Sequence, residues 1–142
     1  MRNIKVESSR GDYRISTDRE LLSVDAIHAY LTRSYWAEGR SRETVAASLE
    51  GSINFGLYYH DQQVGLTRLV TDFATFYWIC DVYVLEEHRG KGLGKWMMEC
   101  VVACPEFKDL LGVLATTNTH GLYEKFGFVV PDEPRKFMRK NR

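Results

Sequence analysis

Between residues 53 and 85 the chain carries three runs rich in β-branched and aromatic residues, divided by short polar breaks. Residues 53–60, 64–71 and 75–85 have the composition of strands. Asp61, Gln62 and Gln63 make the first turn and residues 72–74 the second. Links this short cannot carry parallel crossovers, so the pattern predicts an antiparallel meander. Upstream, residues 13–16 read as a short strand. Thr17, three residues before Glu20, has capping-box spacing. A helical region should follow, with Leu21, Leu22, Ile27, Tyr30 and Leu31 as its buried stripe. Residues 34–40 look like a helix end and a loop. Ser41 then opens a second helix through Glu50, with Val45 and Leu49 on one face.

Downstream of the meander the period changes again. Residues 86–95 are charged and Gly-rich, and a helix follows with Trp96, Met97, Cys100 and Val101 at helical spacing. Pro105 stops it. Residues 110–115 read as an apolar strand, and residues 121–126 as a short helix ended by a left-handed Gly127. Residues 128–130 and 136–138 can form a last strand pair joined through Pro131 and Pro134. The order predicts an α/β (α+β) domain: a mixed, mostly antiparallel sheet with helices on both sides.

Length and charge narrow the picture. The chain has 142 residues, enough for one domain spanning residues 1–142. Residues 1–12 are polar, lack the apolar core of a signal peptide, and read as a loose N-terminal extension. Formal net charge is zero, so no global field draws in nucleic acid or acidic membranes. The basic run at Arg135, Lys136, Arg139, Lys140 and Arg142 reads as a solvated edge rather than a nucleic-acid tail. No apolar stretch approaches the roughly 20 residues of a membrane span, and a cytoplasmic location is the default expectation. The three cysteines, Cys80, Cys100 and Cys104, suggest no disulfide framework. Cys100 and Cys104 are four apart, as helix packing or a two-ligand metal face requires; no neighbouring His or acid completes a metal set, and none is expected.

The chemistry concentrates in one loop. After Val82-Tyr83-Val84 comes Arg89-Gly90-Lys91-Gly92-Leu93-Gly94-Lys95, and a helix starts there. Alternating glycines let backbone N–H groups turn into one concavity. The new helix adds unpaired N–H groups and partial positive charge, which suits a pyrophosphate. Gly94-Lys95 is followed by Trp96, so the loop lacks the hydroxyl of a Walker motif. Its GxGxG spacing departs from the GxGxxG of dinucleotide folds. A flexible strand-to-helix turn without a ligand is the other reading of the loop alone.

Arg89-x-x-Gly92-x-Gly94 after Val82-Tyr83-Val84 resembles the acetyl-CoA motif of the GNAT N-acetyltransferase superfamily. Leu122-Tyr123-Glu124-Lys125-Phe126-Gly127-Phe128 resembles its second signature, a tyrosine on a helix before Gly-Phe. The motifs stand in the family's order, and the likeness runs from about Tyr13 to Met138. It implies a splayed central strand pair and a V-shaped cleft. Backbone groups of Val82, Tyr83 and Val84 would hold pantetheine and the acetyl carbonyl. Arg89, Gly90, Lys91, Gly92, Leu93, Gly94 and Lys95 would hold the pyrophosphate of acetyl-CoA. Tyr123 matches the tyrosine that protonates the leaving thiolate. Relatives often carry an asparagine about seven residues before that tyrosine; here Thr116 stands there, and Asn118 is five before.

The resemblance implies direct transfer of an acetyl group to a primary amine of a small molecule or protein, in a ternary complex. A base should take the amine's proton. Asp81 is the nearest acid, and it either serves as that base or pairs locally within the sheet; Glu38, His28 and His120 are reserves. The acceptor would enter past the first two helices, where Tyr35, Trp36 and Glu38 are candidate contacts beside Tyr30 and Arg40. Either an amine enclosure or a cap over the core fits those aromatics. A CoA-binding regulatory module without catalysis, and an acyltransferase for a longer acyl-CoA, remain alternatives. A C-terminal strand could pair in a homodimer.

Overall fold

The computed structural model describes residues 2–142. Six strands form one sheet in sequence order: β1 (Glu7–Arg10), β2 (Tyr13–Ser16), β3 (Ile53–Tyr59), β4 (Gln62–Thr71), β5 (Phe76–Val84) and β6 (Leu111–Leu114). Every neighbouring pair is antiparallel except β5 and β6, which run parallel. Helices α1 (Val24–Leu31) and α2 (Arg42–Glu50) cover one face, and α3 (Leu93–Val102) the other; α4 (His120–Glu124) follows β6. The predicted meander is present, and the parallel pair is made by the long α3 crossover, as its geometry requires. No helix is long and apolar enough to cross a membrane among the described residues.

Two cores lie on the two faces. Under α3, Trp96, Met97, Met98 and Val101 pack on Ile15, Phe55, Leu69 and Ile79. Under α1 and α2, Ile27, Leu31, Val45 and Leu49 pack on Leu66 and Tyr83. A bulge in β5 makes this division possible. Arg68 pairs with Asp81 but Leu69 pairs with Ile79, so Cys80 is an extra residue opposite no partner. One inserted residue reverses which face each later side chain takes. Tyr77 and Ile79 therefore belong to the α3 core, while Tyr83 belongs to the α1–α2 core.

Three expectations are corrected. Apart from Met1, which lies outside the described residues, the N-terminal stretch is no loose extension: Glu7–Arg10 pairs with Tyr13–Ser16, and Ile4 is buried. Thr17 holds that segment rather than capping a helix. Its hydroxyl donates to the Ile4 carbonyl (2.7 Å) and accepts from the Val6 amide (2.9 Å). Helix α1 starts six residues later, where the Ser23 hydroxyl accepts from the Ala26 amide. Leu21 consequently lies outside the buried stripe. The last strand pair is also missing. Residues 128–138 are irregular apart from a short turn of helix at Pro134–Lys136. Pro131 and Pro134 remove ladder donors, and Val129 and Val130 are exposed with no strand beside them.

Thr17→Val keeps shape and removes both hydrogen bonds, leaving a buried carbonyl and amide unpaired. Urea unfolding should show a loss of about 1–3 kcal/mol. Amide exchange should quicken first at residues 4–10.

Candidate active site

Strands β5 and β6 pair only from Phe76–Leu111 to Ile79–Leu114. Beyond Ile79, β5 continues for five residues while the chain after Leu114 turns away, so the two part and leave a wedge. A cavity of about 1350 Å³ occupies it. Cys80, Val82, Tyr83 and Val84 form one wall and residues 114–119 the other. The splayed pair expected from the sequence is thus present, with a backbone edge that β6 leaves uncovered along its β5 wall.

On the α3 face the cavity meets the glycine loop. Gly90 (φ +80°) and Gly92 (φ +74°) are left-handed, and a Cβ on either would meet nothing within 4 Å. The conformation, not crowding, selects glycine here. Gly92 is the N-cap of α3, and no side chain caps that end. The first intrahelical bond runs from the Trp96 amide to the Gly92 carbonyl, so the amides before it have no helical partner. Gly90, Gly92, Leu93 and Gly94 line the cavity, whereas Lys91 and Lys95 lie outside the lining and are exposed. This open, donor-rich concavity fits a diphosphate. Arg89 lines it too, but as a strut: Nε donates to the Val84 carbonyl (2.9 Å) and Nη2 to the Tyr30 hydroxyl (2.7 Å). Tyr30 in turn stacks on Tyr83, with ring centroids 4.1 Å apart. Arg33 lies over Tyr30 and holds Glu86 through two bonds of 2.9 Å. That pairing depresses the Glu86 carboxyl to about 2.

Tyr123 sits on α4, buried, and lines the cavity. Burial, and next the proximity of Tyr35, raise its pKa. Tyr35 is exposed, and its hydroxyl accepts from the Thr117 hydroxyl at 3.1 Å, joining the two walls. Asn118 also lines the cavity.

On the α1–α2 face a buried charge cluster backs the cavity. The Asp81 Oδ1 accepts from Trp36 Nε1 at 2.7 Å. Its Oδ2 accepts from Arg68 Nε at 2.6 Å and Arg40 Nη1 at 3.1 Å. Asp81 is 1% exposed. Burial pushes its carboxyl up, but Arg68, then Arg40 and Trp36, outweigh that and hold it below the ordinary aspartate range. Of the two readings open for Asp81, the geometry matches local pairing: a carboxylate this stabilised is a poor proton acceptor near neutral pH. Glu38 and His120 are exposed, and neither they nor His28 line the cavity. Of the proposed acceptor contacts, Tyr35 and Trp36 line it and Glu38 does not.

The sequence reading passed over Arg68 and Trp78, which line the cavity; Arg139 and Arg142, read as a solvated edge, are exposed and border the cavity as well. Arg68 had a signal: one charge within an apolar strand, facing an aspartate in the next. Arg139 and Arg142 had none, because their position follows from Phe137 resting on the Trp78 ring (5.7 Å). Among the described residues no cluster of His, Cys, Asp or Glu could hold a metal ion. Cys104 donates to the Cys100 carbonyl and is buried in the α3 core.

The profile of the acetyltransferase (GNAT) domain matches residues 50–130. A candidate acetyltransferase of Gibberella zeae is 36% identical over 141 residues, covering 82% of this chain and 78% of its own. The crystal structure of a candidate GNAT-family acetyltransferase from Xanthomonas campestris pv. campestris is 35% identical, with a TM-score of 0.89 over 94% of this chain and 96% of that one. A GNAT-family acetyltransferase from Elizabethkingia anophelis, solved with acetyl-CoA bound, shares the fold: TM-score 0.63, 20% identity, 87% of this chain and 80% of that one. Fold, family profile and relatives together define an acetyltransferase. The chain belongs to the GNAT family.

Asp81→Asn should lower stability by about 3–5 kcal/mol, since two buried guanidiniums lose their counter-charge. Melting curves of the two proteins at pH 7 measure this. Because the Asp81 pKa is depressed on folding, its contribution is complete above the ordinary aspartate pKa of about 3.9 and is lost as pH falls through the folded value. The gap between wild type and Asp81→Asn should therefore close in acid.

Proposed function

We propose that this protein is an acetyl-CoA-dependent N-acetyltransferase that acetylates a primary amine of a small molecule or protein. The observation carrying this reading is the wedge between β5 and β6, whose cavity is lined by both the glycine cradle and Tyr123. When bound, acetyl-CoA supplies the activated thioester whose acetyl group passes directly to the amine in a ternary complex.

The protein positions and polarises. Amides of residues 90–95 face the diphosphate. The edge of β5 that β6 leaves uncovered at Val82, Tyr83 and Val84, with the Val84 carbonyl already taken by Arg89, offers backbone groups to the pantetheine arm and the acetyl carbonyl, where an N–H donor stabilises developing negative charge. Tyr123 holds a proton at Oη and gives it to the departing sulfur; its raised pKa keeps the phenol neutral throughout the working range. Asp81 serves as a positioning residue that fixes Trp36, Arg40 and Arg68, and the amine releases its proton to water.

Calorimetry should show acetyl-CoA binding to the wild type, and Gly92→Val should weaken it while circular dichroism stays unchanged. Intact affinity in that variant would remove the cradle from the mechanism. Tyr123→Phe should lower kcat roughly 10²–10⁴-fold with acetyl-CoA affinity nearly intact. In the wild type, loss of rate from Tyr123 ionisation should begin only above pH of about 10.

A further inference from the structure

The cavity lining holds more arginines than carboxylates among the described residues. Arg40, Arg68, Arg139 and Arg142 all belong to it, together with Trp36 and Trp78. Among the described residues the only side-chain carboxylate in the lining is that of Glu86, and Arg33 already holds both its oxygens. Asp81, behind the lining, faces two guanidiniums and neutralises one. The chain as a whole has zero formal charge, so this surplus is local.

The surplus also lies on the side away from the glycine loop. Thr67 bonds Met97 of α3, so it points to the α3 face. Arg68, the next residue on β4, takes the opposite face by strand alternation. There it meets Asp81 of β5, Ser52, and Trp36 and Arg40 from the α1–α2 connection. Trp78 alternates with Tyr77 and Ile79, which belong to the α3 core, so it shares that side, and Phe137 packs on it, ahead of Arg139 and Arg142. The diphosphate cradle at α3 therefore does not account for Arg40 and Arg68.

Two further details point to a ligand. Arg40 and Arg68 are mostly buried, at 16% and 11% side-chain exposure, yet Nη2 of each makes no hydrogen bond among the described residues. The Tyr83 hydroxyl is buried, has no partner, and belongs to a side chain on the same face and in the same lining. Only the Tyr83 hydroxyl is a desolvated donor without an acceptor, which is costly; the two Nη2 atoms keep contact with solvent and so have donors to offer a ligand.

We infer that the acceptor is an amine carrying an oxyanion, a carboxylate or a phosphate, held by Arg40 and Arg68 between the indoles of Trp36 and Trp78. This rests on the acetyl-transfer reading above and deepens it. Guanidinium donors match both oxyanions, often in pairs. The same field disfavours a bound ammonium, so it repels polycationic acceptors and favours the neutral, nucleophilic form of the amine.

Acetyl-CoA binding by calorimetry comes first; if it is absent, the acetyl-transfer reading fails rather than this one. With binding established, kcat/KM is compared within matched pairs: phenylalanine against phenethylamine, and phosphoethanolamine against ethanolamine, with spermidine alongside. At least one oxyanion-bearing member should exceed its partner by about tenfold or more, and spermidine should be poorest. Which pair shows the preference separates carboxylate from phosphate. Arg40→Gln should raise KM for the preferred acceptor more than for its partner, so that the ratio within the pair shrinks, with acetyl-CoA affinity unchanged; Arg40→Lys should restore part of the preference. If no panel member turns over, calorimetry on the CoA-saturated protein makes the same comparison by binding. Equal or better use or binding of the uncharged-tail amines or spermidine overturns the inference. So does binding by neither class, or an Arg40→Gln effect that falls on acetyl-CoA.

Discussion

The site exists because β5 changes partners midway along its length. Through Ile79 it is hydrogen-bonded on both edges; past the bulge at Cys80 it keeps β4 and loses β6. A strand edge inside a protein is normally covered, since its amides and carbonyls are expensive to leave unmade. Here the sheet leaves that edge open over a cavity. The bulge does a second job at the same place: it reverses side-chain parity, which sends Asp81 and Tyr83 toward α1 and α2. Without it, a carboxylate would point into the Met-rich core beneath α3.

That carboxylate then organises the acceptor wall. One aspartate gathers the indole of Trp36 and two guanidiniums from two separate parts of the chain, the α1–α2 connection and β4. Burying such a group is tolerable because its acceptor capacity is filled. The cluster anchors to the sheet a loop between α1 and α2 that is already held internally by the Gly39 amide on the Thr32 carbonyl and the Ala37 amide on the Ser34 hydroxyl. At the other end of β5, the Arg89–Tyr30–Tyr83 stack and the Arg33–Glu86 pair tie α1 to the strand where the glycine loop departs.

Much of this was legible in the sequence. The meander follows from three β-rich runs with short links, and the cradle from alternating glycines before an apolar helical stripe. Both depend on local rules. What escaped depends on contacts distant in sequence. Glu7–Arg10 is polar and becomes a strand only because Tyr13–Ser16 lies beside it and Thr17 clasps the preceding turn. Thr17 and Glu20 have helix-start spacing, yet a tertiary hydrogen bond claims the threonine first. Residues 128–130 and 136–138 carry strand-forming side chains, and proline between them denies a ladder. A charge such as Arg68 inside a strand is visible in the sequence; its function is not, until the opposite strand brings Asp81 to face it.

The two walls are also joined at the top, by the hydroxyls of Thr117 and Tyr35. Both side chains are exposed, and such a bond contributes only about 1 kcal/mol, less than twice the thermal energy RT. The apex of the wedge is fixed by the β5–β6 ladder, while the Thr117–Tyr35 bond joins side chains alone. Traffic through the cleft can therefore proceed by side-chain motion alone, with the sheet standing still.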